Sequence, residues 1–243
     1  DRVPVRMRPP PLPIASTATS TNPSESPAWS PDGKRLAYYS VRSQDQGVMK
    51  KYRMINEYLL YVTDATGENQ KRLLDFPVID FGWAPDSRRL FIISTHESPD
   101  RNSPEVLNGT VHPLAYVYVF DTQTGGITRL PGSGRNCSAS WSPDGTRLAV
   151  GFGNGENCGI YLISPDGGRS ERLTDGTTID FRPAWSPDGK TLAFTSAFTS
   201  AFASNNGLYL VDANGRMVDR RIRGAGGHGN PSHLAPALYG GQG

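Results

Sequence analysis

The sequence of 243 residues has little of what marks most enzymes and nucleic-acid binders. Its two cysteines and four histidines fall at no zinc-binding spacing, and His-Glu-x-x-His does not occur, so no metal centre is expected. A Gly-x-Ser-x-Gly nucleophile elbow is also missing. The charge is nearly balanced, 25 basic against 23 acidic side chains for a net +2, which argues against the one-sided basic surface that nucleic acids require. No apolar run approaches the roughly 20 residues of a membrane-spanning helix; "YLLYV" and "YVYVF" have the length of strands.

What is abundant is turn chemistry. Gly (27) and Pro (20) exceed their usual shares of roughly 7% and 5%. All four tryptophans lie in one recurring phrase: Trp29-Ser-Pro-Asp32-Gly33, Trp83-Ala-Pro-Asp86-Ser87, Trp141-Ser-Pro-Asp144-Gly145 and Trp185-Ser-Pro-Asp188-Gly189, spaced by 54, 58 and 44 residues. A degenerate fifth copy, "NPSHLAPAL" from Asn230, puts His233 in the tryptophan's place. Each unit reads strand, tight turn, strand, loop, strand, turn, strand, which is the period and content of a propeller blade. The tetrad itself is a turn: Pro presets φ, Asp accepts local hydrogen bonds, and Gly takes the left-handed conformation. With Ser87 in the glycine position, the second turn is expected to be strained or of another type, and glycine there to be neutral or stabilising. The recurring aspartates belong to the turns, not to paired acids or calcium loops, and the preceding Trp suits packing between neighbouring blades.

These motifs resemble the WD40-like, or PD40, β-propeller repeat of TolB and of many bacterial envelope proteins, over residues 24–223. The resemblance implies an all-β fold of four-stranded antiparallel blades, four clear repeats and the degenerate fifth, filling residues 24–243 and forming an incomplete ring within this sequence. Residues 1–23 read as a Pro-rich extended arm with Arg2, Arg6 and Arg8 around "PPPLP". The chain opens on Asp1 rather than Met, so an export signal, an anchor or a larger N-terminal region is expected before it. The arm is a linker, a partner-binding segment or a strand donated to cover the open edge.

The functional reading rests on where the blades differ. The loops between second and third strands are long in the first two units (41–57 and 95–113), short in the third, and "AFTSAFASNN" in the fourth; insertions on one face of a repeat protein mark a contact surface. The first insertion holds Lys50, Lys51, Tyr52 and Arg53, a basic and aromatic cluster. Phe194, Phe198 and Phe202 recur every four residues, the last two as an apolar ridge for a partner or as packing between blades. Cys137 and Cys158 bracket two strands of the third unit, and a disulfide between them is expected, in an oxidising compartment. The expected function is a non-catalytic protein-binding or scaffold module of the bacterial envelope, periplasmic or extracytoplasmic, with no cofactor, no nucleic acid and no span of its own. The resemblance leaves open the propeller part of a prolyl-oligopeptidase-like peptidase or glycan-active enzyme, and a small-ligand sensor.

Overall fold

The Ser-Pro-Asp-Gly phrase folds first as a local object. In the computed structural model, which describes residues 25–40, 47–48, 58–107, 109, 112–132, 134, 137–152, 159–175, 178–197 and 206–219, Ser142 Oγ donates to Asp144 Oδ1 at 2.6 Å and accepts the Arg147 amide at 3.0 Å. Ser30 with Asp32 and Ser186 with Asp188 repeat the contact at 2.6 Å each. Gly33, Gly145 and Gly189 stand at φ 70°, 68° and 69°, in the left-handed region. Ser87 adopts the same conformation, φ 57°, so the second turn is the same turn made with a strained residue.

The described residues form sixteen strands in four antiparallel sheets, each in sequence order. Blade 1 comprises β1 (Glu25–Trp29), β2 (Arg35–Ser40), β3 (Leu59–Asp64) and β4 (Lys71–Arg72). Blade 2 comprises β5 (Asp80–Trp83), β6 (Arg89–Ser94), β7 (Tyr116–Asp121) and β8 (Ile127–Arg129). Blade 3 has β9 (Ser138–Trp141), β10 (Leu148–Phe152), β11 (Gly159–Ile163) and β12 (Ser170–Arg172); blade 4 has β13 (Ile179–Trp185), β14 (Thr191–Ala197), β15 (Asn206–Asp212) and β16 (Met217–Asp219). First strands of successive blades pack side by side. Antiparallel pairing puts the Pro-Asp turns at one end of every blade; the second-to-third-strand loops and the connections between blades leave from the other.

The core is a series of inter-blade layers. Ala37, Tyr39 and Leu60 of blade 1 meet Phe81, Leu90, Ile92 and Tyr118 of blade 2. Phe91, Ile93, Val117 and Val119 of blade 2 meet Trp141, Leu148, Val150 and Phe152 of blade 3, and Ala149, Ile160 and Leu162 meet Leu192, Phe194 and Tyr209 of blade 4. Alternation along each strand supplies the two apolar faces. The other face of blade 1 gathers Leu36, Tyr38, Leu59 and Tyr61, all buried, with Val48 of the first insertion packed against them. Blades 3 and 4 approach so closely that a Cβ on Gly151 would stand 3.0 Å from Phe181 Cα, so any side chain there would require the two blades to shift apart.

Candidate functional site

At the turn end, each blade is fastened to the next by one arginine. The Arg35 guanidinium lies 4.9 Å from the Trp83 ring centroid, Arg89 5.0 Å from Trp141, and Arg147 5.1 Å from Trp185. Arg35 also donates to the Ser87 carbonyl and, at 2.9 Å, to Thr122 Oγ1; Arg89 donates to the Gly145 carbonyl at 2.9 Å. The indoles answer in the reverse direction: Trp83 Nε1 donates to the Ala28 carbonyl at 3.0 Å and Trp141 Nε1 to the Gly82 carbonyl at 3.2 Å. Arg35, Arg89 and Arg147 each stand six residues after a tryptophan, and the residue six places after Trp185 is Thr191, so the fourth blade carries no such arginine. Trp29, at the head of the series, is 51% exposed. These repeat residues hold blades together, and this end is a braced floor.

The opposite end carries the variable loops. Lys50, Lys51, Tyr52 and Arg53 of the first insertion lie outside the described residues, as do Phe198, Phe202 and Cys158. Phe194 is fully buried against blade 3. The second insertion is largely described, and its shape is fixed by its own side chains. Arg101 donates to Thr95 Oγ1 and Ser98 to Asp100, whose carboxylate also accepts the Leu114 amide at 3.3 Å across the base of the loop. Between them runs a one-turn helix, Pro104–Leu107.

Where this loop leaves β6, a polar and aromatic cluster faces outward. Glu97 Oε2 accepts the Tyr118 hydroxyl at 2.9 Å and Arg129 at 3.1 Å, while Arg129 also covers the Tyr116 ring at 4.0 Å. Burial, then the bond to Glu97, holds the Tyr118 phenol far above its ordinary range, so it stays a donor. His96 stacks on Phe76 with centroids 3.7 Å apart, its Nδ1 3.0 Å from Ser94 Oγ and its Nε2 3.7 Å from Glu97 Oε1. Arg129 and Glu97 are half-exposed, so the cluster offers a cation, an anion and ring edges together. Sequence reasoning misses it because its members come from a loop and two strands of one blade; the long second insertion is the only signal.

Cys137 stands just before β9, and its expected disulfide partner Cys158 lies outside the described residues. Its thiol is free and donates to the Gly134 and Ala115 carbonyls at 3.2 and 3.5 Å, so it turns to blade 2 rather than along its own sheet toward β11. Burial pushes this thiol up to about 12. Among the described residues no three His, Cys, Asp or Glu side chains gather to hold a metal, and no helix is long and apolar enough to cross a membrane.

Four-stranded blades, inner strands packed in succession and one end given to variable loops define a β-propeller. The chain belongs to the PD40 family, described as the TolB beta propeller domain, whose model matches residues 48–233. It is similar to the Tol-Pal system protein TolB of Bordetella pertussis, 33% identical over 57% of this chain and 29% of that protein. It is also similar to the uncharacterized peptidase YuxL of Bacillus subtilis, 29% identical over 49% of this chain and 17% of that protein. The chain thus spans under a third of either relative's length. The structure of putative TolB from Agrobacterium tumefaciens shares the fold, with TM-score 0.56 and 23% identity over 77% of this chain and 61% of that one.

Proposed function

We propose that this propeller is a non-catalytic protein-binding module of the bacterial envelope, an accessory subunit of a membrane-associated assembly, located outside the cytoplasm. The observation that carries the reading is the pairing of a braced floor with long loops at one end, the second of them held in a fixed shape by its own hydrogen bonds. A preshaped surface with Arg129, Glu97 and aromatic edges suits recognition of another protein, because little ordering is left to be done on binding. Similarity to a protein named for the Tol-Pal system supports membership in a multi-protein assembly. The arm of residues 1–23 is proposed as its tether.

Affinity-tagged full chain, isolated from native envelopes, tests this. Replacing Lys50, Lys51 and Arg53 together with Glu is expected to reduce recovery of co-purifying proteins while the melting temperature holds, since surface-loop substitutions usually shift stability by under about 0.5 kcal/mol; Arg129→Glu is expected to reduce recovery too, with some loss of melting temperature because it also breaks the pair with Glu97. Unchanged recovery in both variants rejects the loop end as the contact surface. Similarity to YuxL favours one other reading, a propeller that serves a peptidase; labelling of a co-purifying polypeptide by a fluorophosphonate serine-hydrolase probe would select it.

A further inference from the structure

In blade 3 the face turned to its successor is built from Ala149 opposite Leu162 and Gly151 opposite Ile160, and Ile160 and Leu162 are buried there against blade 4. The same register in blade 4 puts Ala193 opposite Leu210 and Thr195 opposite Leu208. Strand alternation directs these four away from blade 3, against which Leu192, Phe194, Tyr209 and Val211 pack. None of the four is buried, and Leu208 is 37% exposed where its counterpart Ile160 is 0% exposed. A sheet face of the kind that blade 3 buries is left half-covered.

The chain itself supplies a matching segment. At the first three junctions the tryptophan of the next blade follows the end of the fourth strand by 11, 12 and 13 positions, from Arg72 to Trp83, Arg129 to Trp141 and Arg172 to Trp185. His233, in the tryptophan's place of the degenerate fifth unit, follows Asp219 by 14, and the match to the family model runs to this residue. Residues 220–243 lie outside the described residues. The segment "NPSHLAPAL", Asn230 to Leu238, has no Asp, Glu, Lys or Arg and is six-ninths Pro, Leu and Ala, so an apolar face can take it with no fixed charge to bury.

The clamp position shows the same match. Thr191 occupies the backbone place of the clamping arginines: its amide donates to Ser186 Oγ at 3.0 Å, as the Arg35 and Arg147 amides do to Ser30 and Ser142 at 2.9 and 3.0 Å. Only the side chain differs. Where the giving residue changes from Arg to Thr, the receiving one changes from Trp to His. An imidazole is a poor platform for a guanidinium, since it gains positive charge near neutral pH, whereas a threonine hydroxyl can donate to it or accept from it. We propose that the half-covered face of blade 4 is the seat of the chain's own residues 230–238, with His233 set against Thr191 in a hydrogen-bonded substitute for the arginine–indole clamp. A second copy fits less well, because its leading indole is Trp29, which calls for the guanidinium that Thr191 lacks.

Two measurements on the full chain test this. Hydrogen exchange read by mass spectrometry should show the peptide holding His233 slowed by about tenfold or more relative to its unfolded rate, and Leu208→Asp should remove that protection while the peptides of β10 and β11 keep theirs. Unprotected exchange in the wild type overturns the proposal, as does protection that survives Leu208→Asp. If protection appears only at concentrations where sedimentation shows dimers, the occupant is a second copy and the proposal is wrong. Should Leu208→Asp not fold, a double-mutant cycle in urea decides. Thr191→Arg and His233→Trp together rebuild the clamp, so the double variant is expected to unfold at a higher urea midpoint than the two single shifts predict; strictly additive shifts sink the proposal.

Discussion

The guanidinium of Arg35 lies over the indole of Trp83, a residue of the next blade, and the same pairing joins Arg89 to Trp141 and Arg147 to Trp185. A planar cation stacked on an aromatic face contributes about 0.5–2 kcal/mol, more where water is excluded. Trp141 is 8% exposed, so Trp141→Ala is expected to cost about 3–5 kcal/mol. Arg89→Ala should cost less, and Arg89→Lys should recover little of it, because lysine lacks the flat fork that stacks and reaches the Gly145 carbonyl. A double-mutant cycle in urea checks the pairing; strictly additive losses would show that the two residues act independently.

The turns give a second test. Gly145→Val and Gly189→Val force a β-branched residue into the left-handed region and are expected to lose about 1–3 kcal/mol. Ser87 departs from what the turn alone predicts. Its Oγ accepts the Asp32 amide at 2.9 Å from the neighbouring blade, so glycine at this position relieves strain but gives up a hydrogen bond of about 0.5–1.5 kcal/mol. Ser87→Gly is therefore expected near zero and Ser87→Ala clearly destabilised, read from chemical denaturation midpoints. A stabilised Ser87→Gly would mean that the backbone strain at Ser87 outweighs the inter-blade bond.

Acid should act on these same turns. Hydrogen bonds from Ser142 and then from the Thr146 amide hold the Asp144 carboxyl below its ordinary range, and Asp32 and Asp188 are lowered first by Ser30 and Ser186. A depressed folded value means stability that is present above the unfolded value and lost as pH falls through the folded one. Asp144→Asn is expected to flatten the loss of stability below about pH 4. An unchanged acid limb in that variant would remove the turn from the account.

Cys137 supplies a chemical prediction. With its thiol pushed up to about 12 and the residue partly buried, the thiolate is scarce at pH 8, and iodoacetamide should modify Cys137 far faster after the chain is unfolded. Peptide mass spectrometry of native and denatured samples reads this directly; rapid labelling of the native thiol would contradict the burial.

Much of the fold is legible in the sequence, for a physical reason: the tetrad and its tryptophan are local, and a local motif that recurs names its fold. Asp144 and Gly145 do in the turn what their chemistry implies. The role of the serine before the proline is less plain, although Ser30, Ser142 and Ser186 each tie their aspartate to the returning strand. The arginine six residues after a tryptophan gives no signal either, since its partner lies in another blade, as Trp83 does for Arg35. Nor does strand order say which way the Cys137 side chain turns just before its strand begins. The Glu97, Tyr118 and Arg129 cluster needs three dimensions from the start.

The arginine clamps all point the same way, from each blade to its successor, and that direction bears on symmetry. A two-fold axis brings like surfaces together, so a symmetric pair formed at the Trp29 edge would set indole against indole with no guanidinium between them. The contact is heterologous by construction. Any unit that joins the described blades through the clamp must join them head to tail, and Thr191 gives the last described blade no guanidinium to offer an indole such as Trp29.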